Sequence, residues 1–226
     1  MEFARLELLV GEKISKIKNL KVLIIGVGGV GGYAAESLAR CGVSSITIVD
    51  YDRIDITNIN RQIIALHSTI GKKKVDVLST RIKDINPNCQ VKTYDLFIDS
   101  SNIQLIFDDD YDYILDCCDT IKSKELIIRE AVKRKIKIIS SMGAGFKLDP
   151  SKISIAKLKN TSYDKIASIL RKNLKDQKKC LEIPVVYSTE SVFKHEKIIG
   201  SNSFIPSMFG LFMTSYIIND IVKEKI

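Results

Sequence analysis

The stretch Val22–Gly42, VLIIGVGGVGGYAAESLARCG, decides the fold. Lys21 to Gly26 is a short apolar run of strand character. Val30 to Cys41 sets Ala34, Ala35, Leu38 and Ala39 at helical spacing and stops at Gly42. Between them, Gly26 to Gly32 holds five glycines in seven positions. Gly26, Gly28 and Gly31 satisfy G-x-G-x-x-G after a strand and before a helix, with Gly29 inside the motif. Positions without side chains let backbone approach a phosphate closely, and the first helical turn offers unpaired N–H groups at the positive end of its dipole.

Outward from this turn, strands and helices alternate. SITIVD (45–50) is a β-branched strand, Lys74–Ile85 a helix that stops at NPN, and VKTYD a third strand. A helix near Ser101–Phe107, the strand YDYILDC, a helix over Lys122–Lys135 and the strand IKIISS follow. Parallel strands need crossover helices, and right-handed crossovers build a doubly wound, mostly parallel α/β sheet of Rossmann-like type over residues 1–145. From Gly143 the pattern changes. A strand in DPSKISIAKL, a basic helix over Tyr163–Leu174, the strand IPVVYS and a last helix over Ser207–Val222 predict a C-terminal α+β extension over residues 146–226. At 226 residues and 45% hydrophobic, the chain is expected to form one domain.

Composition narrows the classes. Met1 to Lys18 mixes charges with scattered apolar residues and has no signal-peptide core, so a cytoplasmic protein is expected. Phe204–Ile218 contains Pro206 and Gly210 and falls short of the roughly 20 residues that cross a bilayer, so it reads as a buried helix with no membrane partner. Five cysteines without a CxxC pair argue against a disulfide scaffold and a structural zinc site. His67 and His195 stand alone and read as structural or exposed rather than as metal ligands. The formal charge is +8, and Lys152, Lys157, Lys159, Lys165, Arg171, Lys172, Lys175, Lys178 and Lys179 are opposed locally only by Asp164, Asp176 and Glu182. That run suits a polyanionic partner or a solvated helix face equally.

Asp50 ends the second strand at the distance expected of an acid that binds ribose hydroxyls. The turn and Asp50 together predict a nucleotide site without choosing between NAD and ATP. DYDRIDITNINRQIIALHSTIGKKKV, residues 50–75, makes the choice. A hydride carrier has little need of several cations and amides just past its ribose aspartate, whereas a triphosphate attacked at its α-phosphorus needs neutralisation around the departing pyrophosphate. Asn58, Arg61 and Lys74 supply suitable groups. LDCCDT places Asp116 and Asp119 at the carboxyl end of a strand, where a carboxylate can hold Mg²⁺ against phosphate oxygens.

The order GxGGxG, a strand ending in D-x-D (Asp50 and Asp52), N-x-N-R-Q, G-x-x-K-V and D-C-x-D resembles the adenylate-forming superfamily of the ubiquitin-activating enzymes and the bacterial activators of sulfur-carrier proteins. The resemblance implies a cofactor site of Gly26, Gly28, Gly29, Gly31, Asp50, Asp52, Asn58, Arg61 and Lys74, with Asp50 on the ribose and Asn58, Arg61 and Lys74 on phosphates. It implies Asp119 as the Mg²⁺ ligand, and Arg5, in the segment FAR, as an arginine that reaches a partner subunit's ATP site in a homodimer. The sulfur-carrier activators usually bear two CxxC pairs for zinc, which this sequence lacks. NRQIIAL, INPNCQV, MGAGFKLDPSKISIAKLKNTSYDKIASILRKNLK, VVYSTE and GSNSFIPSMFGLFMTSYIINDIV instead resemble the tRNA threonylcarbamoyladenosine dehydratases.

That likeness implies ATP-dependent cyclisation of the threonylcarbamoyl side chain on a tRNA adenosine through an acyl-adenylate, with release of AMP and pyrophosphate. The basic run would then hold tRNA phosphates, and the loop SSMGAG, with Ser141 and Gly143 to Gly145, would face the modified nucleoside. Cys117 and Cys118 read as small buried residues at a strand end rather than thioester nucleophiles, while the basic surroundings of Cys180 could depress its pKa. The rival readings are an activator of a ubiquitin-like carrier's C-terminus and an NAD-dependent oxidoreductase.

Overall fold

β1 (Lys21–Ile25) is buried from Val22 onward. Such an unbroken apolar run is the signature of a parallel strand covered on both faces. Val22 and Ile24 turn to one core cluster, Leu23 and Ile25 to the other, as the two-residue period of a strand requires. The structure, a computed structural model, describes residues 2–191 and 199–223.

Two short helices, α1 (Ala4–Val10) and α2 (Ile14–Lys18), precede β1. Then come α3 (Gly31–Arg40), β2 (Ser45–Val49), α4 (Lys74–Ile85), β3 (Gln90–Tyr94), α5 (Ile103–Ile106), β4 (Tyr113–Asp116), α6 (Ile121–Arg134) and β5 (Lys137–Ser141). β6 (Ile153–Lys157), α7 (Lys165–Asn173), β7 (Pro184–Ser188) and α8 (Phe204–Lys223) complete the chain. The seven strands form one sheet in the order β3-β2-β1-β4-β5-β7-β6. All neighbours are parallel except β6 and β7, which pair antiparallel over five residues. α3, α4 and α8 cover one face of the sheet, and α5, α6 and α7 the other. The doubly wound, mostly parallel architecture expected from the sequence is the one observed, and β6 and β7 of the C-terminal part extend the same sheet.

α8 is longer than its sequence pattern suggested. It begins at Phe204, because Asn202 Oδ1 accepts from the N–H groups of Phe204 and Ile205 and Pro206 falls in the first turn, where its missing N–H costs nothing. At 20 residues it is long and apolar enough to cross a bilayer, which corrects the expectation based on shortness. In this fold Phe209, Met213 and Ile217 are fully buried. A Cβ on Gly210 would lie 2.3 Å from Val30 O, so α8 seats directly on the start of α3. α3 is clamped to α4 by Glu36, which accepts hydrogen bonds from Arg40 and Arg81.

Candidate active site

The strand order reverses between β1 and β4, and in open α/β sheets ligands sit outside the carboxyl ends of the strands at that point. A cavity of about 550 Å³ opens there, walled from the ends of β1, β2, β4 and β5. Gly26 begins it. Its φ of +84° is a left-handed conformation that glycine adopts without strain, and a Cβ would lie 2.9 Å from the backbone of Cys117. Gly28 and Gly29 continue the wall. Gly31, expected with them, is not on it: a Cβ there would lie 1.9 Å from Gly26 O, so this glycine lets α3 pack against the turn.

Asp50 faces the cavity with a carboxylate already oriented, accepting from Val27 N–H at 2.7 Å and Asp52 N–H at 2.9 Å. Burial raises its pKa above the usual value against the pull of Lys74 and those N–H donors, and Asp52 adds to the rise. Lys74, 5% exposed, pairs with Asp52 at 2.6 Å, and its own N–H donates to Asp52 O. The segment between them is pinned by a capping box. Asp55 Oδ1 accepts from Thr57 N–H, and Asn58 Oδ1 accepts from Asp55 N–H, which leaves the Asn58 amide nitrogen on the cavity wall without a partner among the described residues. Arg61 Nη1 donates to Thr57 O and Asn60 Oδ1, fixing the guanidinium on the same wall with Nε and Nη2 open.

Gln62, the residue after Arg61, was not singled out in the sequence. It is 7% exposed, lines the cavity beside Gly28, and its Oε1 is a buried oxygen with no hydrogen-bond partner among the described residues. A buried acceptor of that kind ordinarily finds a donor, so it is an interaction held in reserve at the glycine turn. The signal lay in N-x-N-R-Q itself. Tyr51 and Phe97 were missed too: their rings meet edge to face at 5.1 Å and, with Leu96 and Ile98, give the Asp50 end an apolar wall suited to a planar base.

Asp119 is exposed and lines the cavity. The charge of Asp52 and burial raise the Tyr51 hydroxyl pKa, and Asp119 and Asp50 add to the rise, so three carboxylates bear on one region of the wall. Asp116 does not join them, contrary to its placement in LDCCDT. It is fully buried beneath the wall, accepting from Lys124 Nζ at 2.9 Å and Ser140 Oγ at 2.6 Å.

Cys117 and Cys118 touch the cavity, and burial together with the Asp116 charge pushes both thiols well above the ordinary range. Cys118 Sγ donates to Asp116 Oδ1 at 3.1 Å. A thiol so held is protonated and a poor nucleophile. Cys180 corrects an expectation: it is buried, and burial raises its pKa despite Arg129 nearby.

The opposite end has another character. Ser141, Met142, Gly143, Ala144, Gly145, Ile166 and Ile199 wall it with little charge. Asp164 joins two of its elements, accepting from Ala167 N–H as the cap of α7 and from Gly143 N–H at 3.0 Å. Asn60 Nδ2 donates to Ser201 O, tying the cationic segment to this end.

The basic run divides. Lys152 lies 3.9 Å from Asp149, and Lys157 and Lys159 share the single carboxylate of Glu182 at 3.0 and 2.6 Å, so surface ion pairs offset part of the charge of these three. Lys165, Lys172, Lys175, Lys178 and Lys179 are exposed and make no ion pair among the described residues. Arg5 is exposed on α1 and does not line the cavity of its own chain. His67 is exposed, His195 lies outside the described residues, and no group of three His, Cys, Asp or Glu suited to a metal occurs among those described.

The model of the ThiF family matches residues 3–223. The chain belongs to the ThiF family. Within it, a tRNA threonylcarbamoyladenosine dehydratase of Bacillus subtilis is 40% identical over 99% of this chain and 95% of its own length, and one of Haemophilus influenzae 34% identical over 95% and 90%. The crystal structure of the E. coli tRNA N6-threonylcarbamoyladenosine dehydratase in complex with ATP superposes on this ThiF-family protein with a TM-score of 0.92 at 32% identity, covering 97% of this chain and 93% of that one. The likeness therefore includes the C-terminal half, where a nucleotide core alone would not extend it.

Proposed function

We propose that this ThiF-family protein is an ATP-dependent tRNA threonylcarbamoyladenosine dehydratase. The observation that carries the reading is the convergence of Asn58, Arg61 and Lys74 with Asp50 and Asp119 on one cavity beside the glycine turn, in a chain similar to named dehydratases along nearly its whole length.

Gly26, Gly28 and Gly29 bring backbone close to the triphosphate, Asp50 takes the ribose, and Tyr51 and Phe97 pack the adenine. The threonyl carboxylate and the α-phosphate are both anionic, and two unit charges in contact oppose each other by roughly 4 kcal/mol at an effective dielectric near 20. Arg61, Lys74 and the Asn58 amide offset that repulsion. Mg²⁺ fits Asp119, because this ion is commonly held by one or two carboxylates plus substrate phosphates rather than by an all-protein cage, and it would supply further neutralisation of phosphate charge.

Attack of the carboxylate oxygen on the α-phosphorus releases pyrophosphate and leaves an acyl-adenylate. An atom of the carbamoyl unit then bonds to the acyl carbon and loses its proton as AMP departs with the former carboxylate oxygen, a net loss of water. Nucleophile and electrophile share one side chain, so effective molarity drives closure and no enzyme nucleophile is needed. The raised thiol pKa of Cys117 and Cys118 agrees with that. Ser141 and Gly143 to Gly145 are the wall for the modified nucleoside.

Two copies are expected to pair, with Arg5 completing the partner's site. Leu8 and Leu9, 89% and 80% exposed on the same helix as Arg5, support a contact there. A cytoplasmic site of action is the expected one for a tRNA substrate.

Incubation with ATP and tRNA bearing the modified adenosine should yield a nucleoside lighter by one water in mass spectrometry. Pyrophosphate exchange should require that tRNA; exchange driven by a carrier protein's C-terminal tail would overturn the reading.

A further inference from the structure

Tyr163 is 71% exposed and holds a φ of +55°, a left-handed conformation that costs a bulky side chain roughly 1–2 kcal/mol. The strain is fixed from both sides. Thr161 accepts from Arg171 through its carbonyl and hydroxyl, and Asp164 caps α7 while accepting from Gly143 N–H in the cavity wall. Tyr163 therefore sits one residue from the carboxylate that joins α7 to the substrate end, and three residues before Ile166, which lines it. Well-anchored strain of this sort gathers at ligand contacts.

Past the tyrosine in the chain come lysines with no ion pair among the described residues. Lys165 and Lys172 are seven residues apart on α7, hence on one face and about 10 Å apart along the axis, and Lys175, Lys178 and Lys179 follow. Of the two acidic residues among them, Asp176 is paired with Arg129 at 2.9 Å, and Asp164 is buried on backbone donors and makes no ion pair with these lysines. An exposed aromatic ring at the start of a helix that leads into lysines without ion pairs matches a single-stranded nucleic acid, whose bases stack on rings while its phosphates meet cations.

We infer that Tyr163 is the stacking platform for a base adjoining the modified adenosine in an unpaired tRNA loop, with the free lysines of α7 and the segment after it on the flanking phosphates. The inference rests on the dehydratase reading. It adds which residues take the RNA, and it favours the lysines without ion pairs over Lys152, Lys157 and Lys159.

The test uses the full chain and an anticodon stem-loop RNA carrying threonylcarbamoyladenosine, with 2-aminopurine as the adjoining base. Tyr163→Leu should weaken binding about tenfold and abolish quenching of the 2-aminopurine, whereas Tyr163→Phe should keep both. The salt dependence should stay unchanged in either, because no phosphate contact is lost. Lys172→Gln with Lys175→Gln should instead lower the slope of log Kd against log salt by roughly 0.7 per contact removed. ATP-induced thermal stabilisation in each variant reports that the fold is intact. Wild-type affinity and quenching in Tyr163→Leu would overturn the inference while leaving the dehydratase reading standing. A wild-type protein that binds no RNA loop, and exchanges pyrophosphate only with a protein tail, would overturn both.

Discussion

The two ends of the cavity are built from different materials. Beneath β1 and β2 the wall is charge and amide held in a dense hydrogen-bond framework: Asp50 on two backbone donors, Lys74 on Asp52, Asn58 in its capping box, Arg61 on Thr57 and Asn60. Beyond β5 it is backbone, small residues and isoleucine, with one carboxylate, Asp164, turned away into backbone contacts. A triphosphate carries charge at fixed spacing and needs counter-charge at fixed spacing. A nucleoside side chain that reacts with itself needs mainly to be enclosed and oriented, which shape supplies. The first demand writes particular residues into the sequence, and the second does not.

The contrast is sharpest if each end is broken separately. Arg61→Ala should lower AMP formation in the presence of modified tRNA by about 10³-fold or more, the scale on which a phosphate-stabilising arginine acts, while the melting temperature stays within a few degrees; near-normal turnover would show that the charged end is not where the triphosphate reacts. Lys124→Met strikes beneath the wall, between the ends. It leaves Asp116, fully buried, without its partner and should destabilise by about 3–5 kcal/mol in urea unfolding, more than any single contact lining the cavity. Gly145→Ala tests the far end by shape alone. Its Cβ would lie 2.3 Å from the Ile199 side chain, so KM for tRNA should rise roughly tenfold, about 1.4 kcal/mol, with ATP affinity unchanged. If ATP affinity fell equally, the two ends would not be separable.

The smallest effect is at the clamp behind the glycine turn. Burial opposes ionisation of Glu36, but its hydrogen bonds from Arg81 and Arg40 outweigh that and hold its carboxyl below the ordinary 4.5. A carboxylate with a lowered folded pKa contributes stability that is fully present above pH 4.5 and lost as pH falls through the lower folded value. Glu36→Gln should therefore cost up to about 1 kcal/mol at neutral pH and less at pH 3, measured as urea midpoints across that range. An equal loss at both pH values would place the effect in packing.

What could be read from the sequence follows the same division. The glycine turn, the strand-helix alternation and the residues of the charged end carry local signals of period or spacing, and of the expected cofactor-site residues all except Gly31 line the cavity. Asp116 and Asp119 sit three apart in one short motif, yet one is buried on Lys124 and the other faces the cavity. Only the arrival of Lys124 and Ser140 from other elements separates them. The basic run shows the same blindness, since Glu182 pairs with both Lys157 and Lys159 from more than 20 residues away. The burial of Cys180 depends likewise on elements distant in the chain, and the length of α8 on a cap, Asn202, outside its apolar pattern.

α8 has one more consequence. The glycine turn is made well before α8, yet Gly210 lies against Val30 at its helical end and Pro206 against Gly29. During translation those glycines leave the ribosome well before the helix that immobilises them, so firm nucleotide capture waits until α8 has been made, and shortening the molecule before residue 204 should disarm a site about 175 positions upstream.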